Sequence, residues 1–128
     1  MPSLPRLQID QIAHPRTDLA VLALAGELDL DTEPLLAAGI AAAMTPGRHR
    51  LILECSGITF CDSRGLSYIL GVRLDLNDRD GSLILAAPGA QFLRTMQIIG
   101  ADQALTLTPG GITEAVLLLP PDPSAAAL

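Results

Sequence analysis

The sequence predicts a single α/β domain built on a mixed, mostly parallel sheet with about four helices. Short apolar runs such as Leu19–Leu24 and Leu51–Leu53 lack the polar alternation of a half-wet strand, as expected for strands covered on both faces. Between these runs lie segments whose apolar residues recur at helical spacing. After the first two strands the two kinds of segment alternate, which implies right-handed βαβ units with an antiparallel contribution at the start.

The elements follow in order. Leu7 to Ile12 alternates loosely and reads as an edge strand, and residues 14–18 (His-Pro-Arg-Thr-Asp) form a turn. Leu19 to Leu24 is a covered strand; Ala25-Gly26 breaks it, and residues 27–30 continue as a short extended piece. Asp31 or Thr32 can cap the first helix, with Pro34 in its first turn, where a missing N–H costs nothing. Leu35, Leu36, Ile40, Ala43 and Met44 form its buried stripe, and Pro46-Gly47 stops it. Leu51 to Glu54 is the next strand, and Ser56 to Phe60 reads as a turn from polar to apolar residues. A helix follows with Leu66, Ile69, Leu70 and Leu74 on one face, ending in the polar cluster 77–81. Ser82 to Ala87 is a strand, and Gln91 to Ile99 a helix with Phe92, Met96 and Ile99 inward and Gly100 as its C′ residue. Leu105 to Thr108 is a last short strand, and Ile112 to Leu119 a last helix. The expected domain is residues 1–119, with 120–128 a disordered tail.

Composition excludes several function classes. The net charge is −6 with no basic cluster, and the only aromatics are Phe60, Tyr68 and Phe92. Neither a phosphate-backbone surface nor a stacking platform for nucleic acid is available. All eight basic residues are Arg, which removes the lysine that a P-loop or a Schiff-base enzyme needs. Cys55 and Cys61 are too few for a disulfide scaffold and have no metal-ligand spacing around them. Cys55 reads as a small buried hydrophobe, and Asp62 disfavours a thiolate at Cys61. Asp75, Asp78 and Asp80 lack the alternation and closing acid of a calcium loop. No metal and no cofactor is expected. The N-terminus has no apolar leader, and no stretch is long enough to span a membrane, so a cytoplasmic protein without a membrane partner is expected.

The stretch Cys61-Asp62-Ser63-Arg64-Gly65-Leu66 stands where a strand hands over to a helix. Backbone N–H groups at a helix start lack partners and favour negative charge, so a serine there can be exposed and would tolerate a phosphate. From the hexapeptide alone, Asp62 or Ser63 acting as an N-cap is the simpler account. In a parallel sheet, loops at the carboxyl ends of strands share a surface, so Asp29 and Asp31 can lie beside Ser63.

The pair of motifs Gly26-Glu27-Leu28-Asp29 and Phe60-Cys61-Asp62-Ser63-Arg64-Gly65-Leu66, some thirty positions apart, resembles the STAS-domain anti-sigma-factor antagonists of bacteria. The resemblance covers roughly Leu7 to Leu119 and implies a STAS-like single domain that acts as a partner-switching module rather than an enzyme. By that resemblance, Ser63 is phosphorylated by a cognate anti-sigma factor serine kinase. The unmodified chain binds that kinase and frees a sigma factor, and a phosphatase resets the switch. Asp29, Asp31, Asp62, Ser63, Arg64 and Gly65 form the partner-binding surface, with Gly65 permitting close approach. Arg64 departs from the family, which usually has Ser or Thr there; it can attract a phosphate, pair with an acid on the kinase, obstruct the kinase, or simply face solvent.

Two other readings compete. The chain can be a STAS scaffold or ligand-binding module that is never phosphorylated. An enzyme with Ser63 as nucleophile is disfavoured, because the motif is not a Gly-x-Ser-x-Gly elbow and the only bases, His14 and His49, fall in turns.

Overall fold

The computed structural model describes residues 6–122; the last part of the expected tail, 123–128, lies outside them. Chain order is β1 (Leu7–Ile12), β2 (Leu19–Leu28), α1 (Glu33–Ala43), β3 (Arg50–Cys61), α2 (Ser63–Asn77), β4 (Ser82–Ala86), α3 (Ala90–Ile99), β5 (Thr106–Thr108) and α4 (Ile112–Leu117). The strands form one sheet in chain order, with β1 antiparallel to β2 and every later pair parallel. Among the described residues, the mixed, mostly parallel sheet with four α-helices agrees with the sequence reading.

A sheet in chain order moves each crossover one strand further in the same direction, so right-handed connections put α1, α2 and α3 on one face. Side-chain alternation along the strands shows both faces. Leu22, Leu24, Leu51, Leu53, Leu83 and Leu85 pack with Leu36, Leu66, Ile69, Phe92 and Met96 from these three helices. The intervening Leu19, Val21, Ile52 and Ile84 pack with Ala115 and Leu119, at and just beyond α4.

Several expectations need correction. The break at Ala25-Gly26 is not one: β2 continues to Leu28, and the register shifts around Gly26, whose φ of +119° needs a glycine. Residues Ser56 to Phe60 are not a turn, because β3 runs on to Cys61 beside the extended β2. Leu74 is exposed while Val72 and Leu76 are buried. At about 100° per residue, Gly65, Ile69, Val72 and Leu76 share one arc and Leu74 lies opposite. Leu35 and Ile99 are likewise exposed, the first one position off the Leu36 stripe, the second at the helix end. A 3-10 turn at Ala101–Gln103 precedes a β5 that starts at Thr106, and α4 stops at Leu117, although Leu119 is still buried.

At the amino ends of the parallel strands, the expected turn 14–18 carries a buried ion cluster. Arg16 grips Asp18 with Nε at 2.9 Å and Nη2 at 2.8 Å, and Arg50 Nε lies 3.6 Å from the same carboxylate. Asp122 adds negative charge near Arg16, so the chain reaches this pole again after α4.

Candidate functional site

At the opposite pole, β3 ends at Cys61 and α2 begins at Ser63, leaving one residue to make the turn. Asp62 is extended, with φ −98° and ψ −176°, and its Oδ1 accepts the Gly65 N–H at 2.9 Å. Asp62 is therefore the cap and Ser63 the first helical residue, which leaves the Ser63 side chain exposed and uncommitted to capping.

The junction is pressed against the end of β2. Asp62 N–H donates to the Leu28 carbonyl at 3.1 Å. A Cβ at Gly65 would stand 2.6 Å from that oxygen and 2.9 Å from the Leu28 Cβ, so only glycine allows α2 to approach so closely. Leu28 leads directly into the loop carrying Asp29 and Asp31. The structure thus brings Asp29, Asp31, Asp62, Ser63, Arg64 and Gly65 to one end of the sheet, as expected.

The first helix is not capped as expected. Neither Asp31 nor Thr32 caps α1 with its side chain. Instead Asp29 Oδ1 accepts the N–H groups of Asp31 and Thr32, both at 3.0 Å. The Thr32 hydroxyl is buried; it donates to the Glu27 carbonyl at 2.8 Å and accepts the Asp29 N–H at 3.0 Å. The loop is built rather than slack.

Arg6 joins the site, although nothing in the local sequence marks it out. Its Nε contacts Glu27 at 2.8 Å, Nη1 contacts Asp31 at 3.2 Å, and Nη2 contacts Asp29. One cation thus ties the start of β1 to the loop beside Ser63. Only the antiparallel register Leu7↔Gly26, which puts Arg6 opposite Glu27, could have revealed it. Desolvation pushes the Asp29 carboxyl up, but the Thr32 N–H and the Arg6 guanidinium outweigh it and hold its pKa below the ordinary value.

Arg64 is exposed and makes no ion pair among the described residues. It lines an open groove of about 430 Å³ together with Glu33, Tyr68 and Asp75. Cys55 and Cys61 are both buried free thiols. Burial, then the Asp62 carboxylate, pushes the Cys61 thiol up to about 12, which removes it as a thiolate nucleophile.

His14 and His49 precede β2 and β3, at the pole of the Arg16–Asp18 cluster. The twelve residues of β3 separate that pole from Ser63, roughly 40 Å of extended chain. Neither imidazole can serve as base to Ser63. Among the described residues no group of three or more His, Cys, Asp or Glu could hold a metal, and no helix is long and apolar enough to cross a membrane.

Comparison with known proteins places these features in context. The family profile described as "Mlab, STAS domain" matches residues 14–109. An anti-sigma-B factor antagonist of Staphylococcus epidermidis is 26% identical over 104 residues, covering 81% of this chain and 94% of its own length. An anti-sigma factor antagonist from Mycobacterium paratuberculosis superposes with a TM-score of 0.75 at 24% identity, over 91% of this chain and 97% of that one. The Bacillus cell fate determinant SpoIIAA in its phosphorylated form superposes with a TM-score of 0.64 at 24% identity, over 85% and 96% of the two chains. At these identities the two superpositions establish a shared fold.

Proposed function

The chain belongs to the STAS domain family, and from that membership we propose that it is an anti-sigma factor antagonist switched off by phosphorylation of Ser63. Its partner in this reading is an anti-sigma factor serine kinase in the cytoplasm, with a phosphatase to reverse the modification. The folded unit within residues 1–119 carries the function, and Asp29, Asp31, Asp62, Ser63 and Arg64 form the surface the partner meets, while the buried Gly65 seats α2 against β2 beneath them. The antagonist relative in Staphylococcus epidermidis and the phosphorylated SpoIIAA of the same fold support the reading.

One observation carries it: an exposed Ser63 at the first helical position, with the capping role taken by its neighbour Asp62. A phosphate there adds about −1.5 to −2 charges close to the positive end of the α2 dipole, so the antagonist's own fold tolerates it. The same group pressed into a protein interface is desolvated and sterically crowded. A loss of about 2.7 kcal/mol weakens an interface roughly a hundredfold, enough to change which partner the kinase holds.

The test is to incubate the purified chain with candidate anti-sigma kinases and ATP, locate phosphate by mass spectrometry, and measure capture of the kinase. Phosphate on Ser63, with capture kept by Ser63→Ala and lost by Ser63→Asp, is the expected result. Phosphate elsewhere, or Ser63→Asp binding as tightly as wild type, overturns the proposal. An unmodified wild type that still captures a partner favours the non-phosphorylated scaffold, for which the unpaired Arg64 beside the acceptor speaks.

A further inference from the structure

Strand β3 outruns its neighbour. Its ladder with β4 ends at the pair Glu54↔Ala86, yet β3 continues to Cys61 with β2 alone alongside. In a parallel sheet, successive residues turn their backbone polar groups to opposite edges. Asp62 N–H points to β2, where it meets the Leu28 carbonyl. The N–H and C=O of Cys61, one residue earlier, point to the side from which β4 is missing.

Gln91, in the first turn of α3, fills that place. Its Oε1 accepts the Cys61 N–H at 3.0 Å and its Nε2 donates to the Cys61 carbonyl at 3.2 Å. A primary carboxamide offers the donor and acceptor of one peptide unit, so this side chain pairs with Cys61 as a strand residue would. Thr95 settles which way the amide faces. The one hydroxyl hydrogen of Thr95 goes to the Gln91 backbone carbonyl at 3.1 Å, so toward the side chain Thr95 can only accept, again at 3.1 Å. The nitrogen must lie on that side and the oxygen toward the Cys61 N–H.

We propose that Gln91 is a positioning residue for Ser63, holding the last residue of β3 by a two-bond mimic of a sheet partner and so setting how the acceptor leaves the sheet. The proposal rests on the reading of Ser63 as a phosphate acceptor. A single residue, Asp62, separates Cys61 from Ser63. Asp62 N–H holds this junction from the β2 side, so Gln91 supplies the hold on its opposite edge, just before a hydroxyl that must align with the kinase's phosphate donor, where small misplacements are costly to rate.

Two variants test it. Gln91→Met keeps the length of the side chain and loses both bonds, while Gln91→Glu keeps an acceptor for the Cys61 N–H and loses the donor. Amide hydrogen exchange at Cys61 and the phosphorylation kinetics of Ser63 by the captured anti-sigma kinase are read together. In Gln91→Met, Cys61 exchange should speed up about tenfold, with the Leu22 and Leu85 amides and the unfolding midpoint near wild type. Phosphorylation kcat should fall about tenfold with KM within about twofold, and Gln91→Glu should lie between. Unchanged exchange at Cys61, or faster exchange with wild-type kinetics, overturns the proposal. A wild type that no kinase modifies overturns the acceptor reading and the role of Gln91 with it, and is recognised because it precedes any substitution.

Discussion

Asp62 Oδ1 accepts the Gly65 N–H at 2.9 Å, and that bond leaves the Ser63 side chain without a capping duty. A helix start needs one side-chain acceptor for its orphan donors, and here the aspartate supplies it. Asp62→Ala should therefore destabilise the fold by about 1 kcal/mol, within the usual range of about 0.5–2 kcal/mol for a lost cap. Asp62→Asn should recover most of this. Urea denaturation of the three proteins checks the prediction, and an Asp62→Ala variant as stable as wild type would show that the cap contributes nothing.

Gly65 sits where a methyl group has no room. A Cβ would meet the Leu28 carbonyl oxygen at 2.6 Å and its carbon at 2.8 Å, and backbone on both sides leaves little to yield. Gly65→Ala gains helix propensity but should still lose about 1–3 kcal/mol from overpacking. The same substitution at Gly71, on the same helix with open space around it, should stabilise by up to about 1 kcal/mol. Opposite signs for two glycine-to-alanine changes in one helix form the test, read by thermal or urea denaturation.

Ser63→Asp places a carboxylate at an exposed first helical position. The dipole contribution is favourable by about 0.3–1 kcal/mol, so the variant should be as stable as wild type or slightly more so. A clear drop in the unfolding midpoint would mean that the hydroxyl has a structural duty, and loss of partner capture could then no longer be assigned to charge at the interface.

The order of strands and helices was legible because covered strands and amphipathic helices have different apolar periods. The exposed serine at the strand-to-helix junction was legible because Asp62-Ser63 closes an apolar run and opens a helical one. Tertiary pairing hid the rest. Residues 56–60, running from polar to apolar, read as a turn, but pairing with β2 holds them extended to Cys61. Leu74 looked inward because leucine at helical spacing usually is, yet the sheet lies under the arc through Ile69, Val72 and Leu76. Arg6 and Gln91 reach the site from distant elements, and nothing local distinguishes either from a solvated surface residue.

Removing Arg6 should be visible at Asp29. The guanidinium is among the groups holding that carboxyl below its ordinary pKa, against a desolvation that acts the other way. In Arg6→Gln the Asp29 pKa should rise, while the Thr32 N–H keeps part of the depression. A carboxyl-detected NMR titration of the two proteins measures this. An Asp29 titration unmoved by the substitution would mean that Arg6 does not order the loop in solution.

The acid limit of the fold should be set at the pole away from Ser63. Asp18 is buried, and its pKa is lowered chiefly by the two hydrogen bonds from Arg16, against desolvation. A carboxyl depressed in the folded state stabilises above its unfolded pKa of about 3.9, and that stabilisation is lost as pH falls through the folded value. Asp18→Asn leaves the buried Arg16 without the carboxylate it grips, so at pH 7 it should cost about 3 kcal/mol, the low end for a broken buried pair because Asp122 still lends negative charge nearby. The gap between wild type and variant should stay constant from neutral pH to about pH 5 and then narrow below about pH 4. Urea denaturation across that range tests it. A gap that stayed constant to pH 2 would place the acid-sensitive group elsewhere, and one that narrowed above pH 6 would contradict the lowered pKa.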